Sequence, residues 1–286
     1  MTEDEVRVAL ARVGLGPARV KELQGGWSNS TFDLDGSHIV RFPRTDAVAL
    51  ATHRELSLLP ELGARVSFAI PTPSHAGVWR GRPFFAYPRL PGRPLEELDQ
   101  AVIGLPALAT MLAELHRFPV DRAAELLQLG APDKVWRHRY EDLWPTFSDV
   151  ALPELDTHLA DDVRRSYEAF VEHPPQFPIT LIHNDLGAEH VLVDETSGAP
   201  TGIIDFEDAT VGDPAIDLTP LVAALGPGAL PTLSGDRDLG ERVTDRMHFY
   251  RWVGSLHCIV YGVTEGVDEE RRGGIDALRR RLAPTP

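Results

Sequence analysis

The stretch LIHNDLGAEHVLVD (residues 181–194) sets His183, Asn184, Asp185, Glu189 and His190 into an otherwise apolar run of strand formers. GIIDFED follows at residues 202–208. Two chemistries can use such a cluster. A metal-dependent hydrolase would take His183, Asp185 and His190 as ligands, and would need a fourth ligand and an activated water. Phosphoryl transfer asks for a carboxylate that accepts the proton of the attacking hydroxyl, and for two ligands that hold magnesium against the phosphates. Asp185 offers the base, with His190 and Asp205 as the metal ligands.

Order and spacing favour the second chemistry. His190 stands five residues after Asp185, the offset at which a kinase catalytic loop places a metal ligand, and Asp205-Phe206 matches a metal-binding Asp-Phe pair. The hydrolase reading gives no role to Gly25-Gly26, Arg41 or Glu55.

These residues need elements to position them. HVLVD and GIID read as strands joined by a turn around Gly198, which sets Asp185 and Asp205 on one side of a cleft. Upstream, VRVALARV (6–13) reads as a helix closed by glycines. VKELQG, STFDLD and HIVRFP read as strands with turns at Gly25-Gly26 and Asp35-Gly36. A helix is predicted from Asp46 to Leu62 with Glu55 inside it, and more strands over 68–90. LPGRPLEEL ends the strands and marks a boundary, with an N-terminal lobe over 1–91 and a C-terminal lobe over 92–286. Helical spacing recurs at 107–118, 154–173, 241–264 and 269–282. The expected fold class is α+β and bilobal: a small antiparallel-sheet lobe with one helix, and a larger helical lobe holding the strand–loop–strand.

The chain has 286 residues with a net charge of -15, which argues against nucleic acid as a partner and suits a cationic ligand. A single cysteine, Cys258, allows no internal disulfide. The acidic N-terminus is unlike a signal peptide, and no apolar run reaches the ~18 residues of a membrane span. The expectation is a soluble, cytoplasmic monomer with no membrane partner.

HNDLGAEHVL followed by GIIDFEDATVGDPAIDL resembles the aminoglycoside phosphotransferase family, and most closely its 2''-phosphotransferase branch, over nearly the whole chain. The resemblance implies a protein-kinase-like fold, an ATP or GTP donor, Mg2+, and a cationic antibiotic as acceptor, either an aminoglycoside or a tuberactinomycin-like peptide. It makes Asp185 the base and His190 and Asp205 the magnesium ligands. It sets Gly25, Gly26, Ser28 and Asn29 over the phosphates, and Arg41 in the place of the phosphate-binding lysine with Glu55 as its partner. Phe85, Ala86 and Tyr87 would form the hinge against the purine. Asp208, Glu189, Trp252, Glu265 and Asp268 would face the acceptor, while Asp213 and Asp217 would brace the catalytic loop.

Three departures bear on these implications. Arginine replaces lysine at position 41, and its planar fork requires a rebuilt phosphate contact. Imidazole is an unusual ligand for magnesium, so the role of His190 rests on the resemblance. Glutamates of the family are missing at Cys258 and Thr264, which bears on the acceptor. The alternatives are a kinase of a macrolide or small metabolite alcohol, and a nucleotide-binding module without catalysis.

Overall fold

Thr2 opens the first helix, α1 (Glu3–Ala11), with a reciprocal capping box to Glu5. The computed structural model describes residues 1–23, 28–98 and 103–282. Five strands follow in an antiparallel sheet of order β1-β2-β3-β5-β4: β1 Val20–Leu23, β2 Asn29–Leu34, β3 His38–Pro43, β4 His75–Trp79 and β5 Arg82–Pro88. The Asp35-Gly36 turn, with both residues at positive φ, closes the β2–β3 hairpin. Helix α2 (Asp46–Gly63) starts on a Thr45 cap and buries Glu55, Leu58, Leu59 and Leu62. One face of the sheet packs Phe32, Val40, Phe42 and Phe84 against Val6, Ala9 and Leu10 of α1. The other contributes Ile39, Phe85 and Tyr87 to a core continuous with the C-terminal helices.

The catalytic segment is a set of very short strands. β7 (Thr180–Ile182) pairs with β10 (Thr210–Gly212), and β8 (Val191–Val193) lies between β6 (Arg93–Pro94) and β9 (Pro200–Ile203). Around them stand α3 (Leu105–His116), α4 (Val120–Leu126), α5 (Pro132–Thr146), α6 (Thr157–Glu172), α7 (Ala215–Leu225), α8 (Leu230–Ser234), α9 (Val243–Thr264) and α10 (Asp268–Leu282). The backbone of Ala69 bonds to both Thr201 and Ile203, which ties the segment after α2 to the β9 hairpin. None of the helices is long and apolar enough to cross a membrane, among the described residues.

The expected helices appear within a few residues of their predicted bounds. Other expectations fail for physical reasons. Residues 68–73 form no strand beyond the single bridge from Ala69 to Gly202. Asp205 closes no strand; β9 ends at Ile203, and Asp205 takes a left-handed φ of 65°. Helix α5 escaped notice because it buries only Trp136 and Tyr140, too thin a stripe for a period to show. Helix α7 escaped because it is apolar on most sides and contains Pro220.

Two close approaches set the far wall of the molecule. Gly274 lets α10 touch α9, since a Cβ there would meet the Ser255 carbonyl oxygen at 2.8 Å. Arg246 on α9 is fully buried and donates from Nε to Asp213 Oδ2 at 2.7 Å, where Tyr250 Oη also donates at 2.6 Å. Removing one partner of a buried ion pair leaves the other charge uncompensated, at about 3–5 kcal/mol. Asp213→Ala is therefore expected to lower unfolding free energy by about that much in urea titration. A loss below about 1 kcal/mol would contradict this role for the pair.

Candidate active site

Strand β3 carries Arg41 to the junction of the two halves, where its side chain is almost fully buried. Its Nη1 donates to Glu55 Oε1 at 2.7 Å, and its Nη2 to Asp205 Oδ1 at 2.7 Å and Glu207 Oε2 at 3.1 Å. Asn29 Nδ2 also donates to Glu207 Oε2, at 2.7 Å. Three carboxylates thus share one guanidinium. Burial above all, then the charges of Asp205 and Glu207, push Glu55 up to about 7 despite its bond to Arg41. Burial acts on Asp205 in the same direction, but Arg41 and the two nearby histidines outweigh it and hold that carboxyl below its ordinary value. Glu55 Oε2 and Asn29 Oδ1 are buried without a hydrogen-bond partner among the described residues.

The catalytic loop hangs from Asp217, a fully buried residue in the first turn of α7. Its Oδ2 accepts from the backbone N–H of His183 at 3.0 Å, and its Oδ1 from that of Asn184 at 2.8 Å. Arg237 Nη1 donates to His116 Nδ1 at 2.6 Å, so His116 Nε2 carries the proton that it donates to Asp217 Oδ2 at 2.9 Å. Asn184 takes a φ of 70°, which asparagine tolerates, and its side chain donates to the Asp208 carbonyl at 3.1 Å. These bonds turn Asp185 outward, leaving its carboxylate exposed.

His183 and His190 take different jobs. His183 is buried, donates from Nε2 to the Ile204 carbonyl at 2.8 Å and accepts the Asp185 N–H on Nδ1 at 3.3 Å. It is a structural histidine, and burial holds its pKa below the ordinary value. His190 donates from Nδ1 to the Asp185 carbonyl at 2.6 Å, since a carbonyl can only accept. Its Nε2 lone pair then points toward Asp205, with Oδ2 at 3.9 Å. No three metal-ligating side chains converge among the described residues. Two protein ligands suffice for magnesium, which keeps waters and phosphate oxygens in its octahedron. The surplus negative charge around Arg41 fits a divalent cation at Asp205 as well.

Two cavities meet this cluster. One, of about 440 Å3, is lined by the apolar Leu23, Ile39, Leu90, Leu192 and Ile204 and by Tyr87, together with Thr31, Arg41, Arg89, Glu97 and Asp205. Apolar walls with charged groups beside them suit a flat base attached to phosphates. The other, of about 790 Å3, has Asp185, Glu189 and Asp208 on its loop side. Asp208 opens into this cavity, yet the desolvating walls first, and the Asp185 charge second, hold its carboxyl above the ordinary value.

Most of the predicted residues converge here; several do not. Asp185, Glu189 and Asp208 share the larger cavity, and Arg41, Glu55, Asp205 and Asn29 form the cluster beside the smaller one. Gly25 and Gly26 lie outside the described residues. Ser28 accepts the Arg44 N–H on its carbonyl at 3.0 Å, at the start of β2. Phe85 and Ala86 are buried inside β5, paired with β3 and β4 on either side, and line neither cavity. Tyr87 does line the smaller cavity, and the connecting segment that joins it there is Arg89, Leu90 and Gly92. Trp252 is a core residue, 2% exposed, edge-on to Phe249 and Tyr167. Glu265 and Asp268 line neither cavity, and Asp268 is held by Arg271 and Arg272 in the first turn of α10. Asp217 braces the catalytic loop as expected, whereas Asp213 anchors α9 instead. Sequence reading missed Glu207, although its place two residues after Asp205 was a usable signal. It also missed Arg139, Arg251, His257 and Arg281, which line the larger cavity.

A model described as the phosphotransferase enzyme family matches residues 19–250. Viomycin phosphotransferase from Streptomyces vinaceus is 29% identical over 260 residues, covering 85% of this chain and 88% of the relative. The solved GDP complex of an aminoglycoside 2'-phosphotransferase-IIIa superposes with a TM-score of 0.81 at 26% identity, covering 94% of each chain. A macrolide 2'-phosphotransferase from Brachybacterium faecium, at 24% identity and a TM-score of 0.73 over 99% of each chain, shares the fold.

Asp217 also yields a pH prediction. Burial works to raise its pKa, but the hydrogen bonds from His116 and from the Asn184 backbone outweigh it, and the carboxyl sits below 3.8. With a depressed folded pKa, its contribution is intact above 3.8 and is lost as pH falls through the folded value. Asp217→Asn should cost about 1–3 kcal/mol at pH 7, and the gap to wild type should narrow toward pH 3 in urea titrations. A gap that stays constant over that range would contradict the assignment.

Proposed function

The chain belongs to the phosphotransferase enzyme family, and on that premise we propose that it moves the γ-phosphoryl group of ATP or GTP to a hydroxyl of an amine-bearing antibiotic. The reading is carried by one observation: Asp185 stands exposed in the larger cavity, one histidine away from the Asp205 and Arg41 end of the smaller cavity. The nucleotide would fill the smaller cavity between lobes 1–91 and 92–286, with its base between Ile39, Leu90 and Ile204. The acceptor would fill the larger one.

Asp185 then accepts the hydroxyl proton as the new P–O bond forms and the bond from the γ-phosphorus to the departing nucleoside diphosphate breaks, which requires an ionised and accessible carboxylate. His190 Nε2 and Asp205 would hold magnesium, which supplies charge neutralisation on the transferring phosphoryl group. Arg41, kept in place by Glu55, exchanges its bonds to Asp205 and Glu207 for phosphate oxygens, where a bidentate fork is well matched. Glu189 and Asp208 supply carboxylates for an ammonium group of the acceptor. The kinship to viomycin and aminoglycoside phosphotransferases supports that acceptor class.

The test is acceptor-dependent release of nucleoside diphosphate with magnesium, using viomycin and kanamycin as trial acceptors. Asp185→Asn is expected to cut this rate by about 10²–10⁴-fold, the worth of a general base. Nucleotide affinity should change by less than about threefold, because Asp185 lies outside the smaller cavity. Retained transfer in Asp185→Asn would remove it as the base.

A further inference from the structure

The cavity proposed for the acceptor is not simply acidic. Besides Glu96, Asp185, Glu189 and Asp208, its lining carries Arg139 from α5, Arg251 from α9 and Arg281 from α10. Among the arginines of the C-terminal half, Arg242, Arg246, Arg271, Arg272 and Arg279 each lie within ion-pair distance of a carboxylate, whereas Arg164, Arg237 and Arg280, which do not, line neither cavity. Among the described residues, no carboxylate lies within that distance of Arg139, Arg251 or Arg281. In a protein of net charge -15, three arginines outside ion-pair distance of any carboxylate and lining one cavity stand out.

Their placement is built. Arg281 Nη1 donates to Ser255 Oγ at 2.7 Å and to the Arg251 carbonyl at 2.5 Å. Ser255 is itself buried, so it aims the guanidinium from a rigid base. The contact of α10 with α9 at Gly274 brings Arg281 to this wall. Arg281 and Arg251 repel each other there, and only solvent or a ligand can relieve that repulsion. Arg139, half-buried, reaches the same cavity near Asp208. Guanidinium groups drawn from three helices into one concave surface form an oxyanion receptor, because each offers paired N–H donors to two oxygens.

We infer that the α5–α9–α10 wall is an anion subsite, and that the acceptor carries a carboxylate or phosphate group in addition to its hydroxyl and amine. The inference rests on the proposed function only in calling the occupant the acceptor. It makes the substrate class amphoteric: the amine faces Asp208 and Glu189, and the anionic group sits on Arg251 and Arg281, with Arg139 between it and Asp208.

The test reads anion binding without requiring transfer. Thermal unfolding midpoints are measured with ADP and magnesium saturating the nucleotide site, while sodium sulfate or sodium acetate replaces sodium chloride at constant ionic strength. General salt effects are non-saturating and common to all variants. Wild type is expected to give a saturable rise with at least one anion; sulfate points to a phosphate group and acetate to a carboxylate. Arg251→Gln and Arg281→Gln should each raise the half-saturating concentration about tenfold, the loss of one charge-assisted contact. Arg281→Lys, which keeps the charge, should recover part of that loss and separates charge from folding. No saturable rise in wild type, or Gln variants that titrate like wild type, would overturn the subsite. Because transfer is not measured, a failed Asp185→Asn test and a failed anion titration are distinct results.

Discussion

One buried guanidinium shared by three carboxylates holds the two halves of this molecule together at the place where chemistry is expected. Arg41 comes from the sheet, Glu55 from the helix behind it, and Asp205 and Glu207 from the turn after β9. The arrangement is held by position and remains electrostatically incomplete. A single positive charge facing three carboxylates leaves a negative surplus; burial first, and the charges of Asp205 and Glu207 after it, hold the Glu55 carboxyl above its ordinary value. Such a cluster is receptive to further positive charge and ready to release a guanidinium to a better partner. A metal-bound triphosphate supplies both changes.

The second constraint is the backbone frame of the catalytic loop. Asp217 collects the N–H groups of His183 and Asn184, and His183 spans from the Asp185 N–H to the Ile204 carbonyl. The loop and the Asp205 turn are thereby locked to each other through a histidine that stays neutral. Left-handed backbone at Asn184 and Asp205 turns Asp185 and the Asp205 carboxylate away from the strands that precede them. Both residue types tolerate that conformation better than branched or bulky ones. Short strands, a buried aspartate and two tolerant residues thus do the positioning that a longer sheet would otherwise require.

Much of this was readable in the sequence because it depends on local spacing. The five-residue offset from Asp185 to His190, the Asp205-Phe206 pair and a glutamate inside the first long helix are one-dimensional features. The Arg41–Glu55 contact followed from them by resemblance, and the structure brings that pair together. What the sequence hid depends on which way an element faces. Trp252 sits at a helical position that could serve core or cavity, and only the packing of α9 against Tyr167 of α6 decides for core. Resemblance assigns Phe85 and Ala86 to a hinge, and only the structure shows them inside β5, with Tyr87 alone of the three lining the smaller cavity. Arg139, Arg251 and Arg281 lie on three separate helices, and no spacing rule connects them.

The central claim is that Arg41 is a shared counter-ion that changes partners when nucleotide arrives. A crystal structure with magnesium and a non-hydrolysable nucleoside triphosphate tests it most directly. The account predicts that the contact from Arg41 Nη1 to Glu55 persists, that the Nη2 contact to Asp205 is broken, and that Nη2 bonds a phosphate oxygen. A bound triphosphate with the Arg41–Asp205 pair still intact at its present 2.7 Å would contradict it.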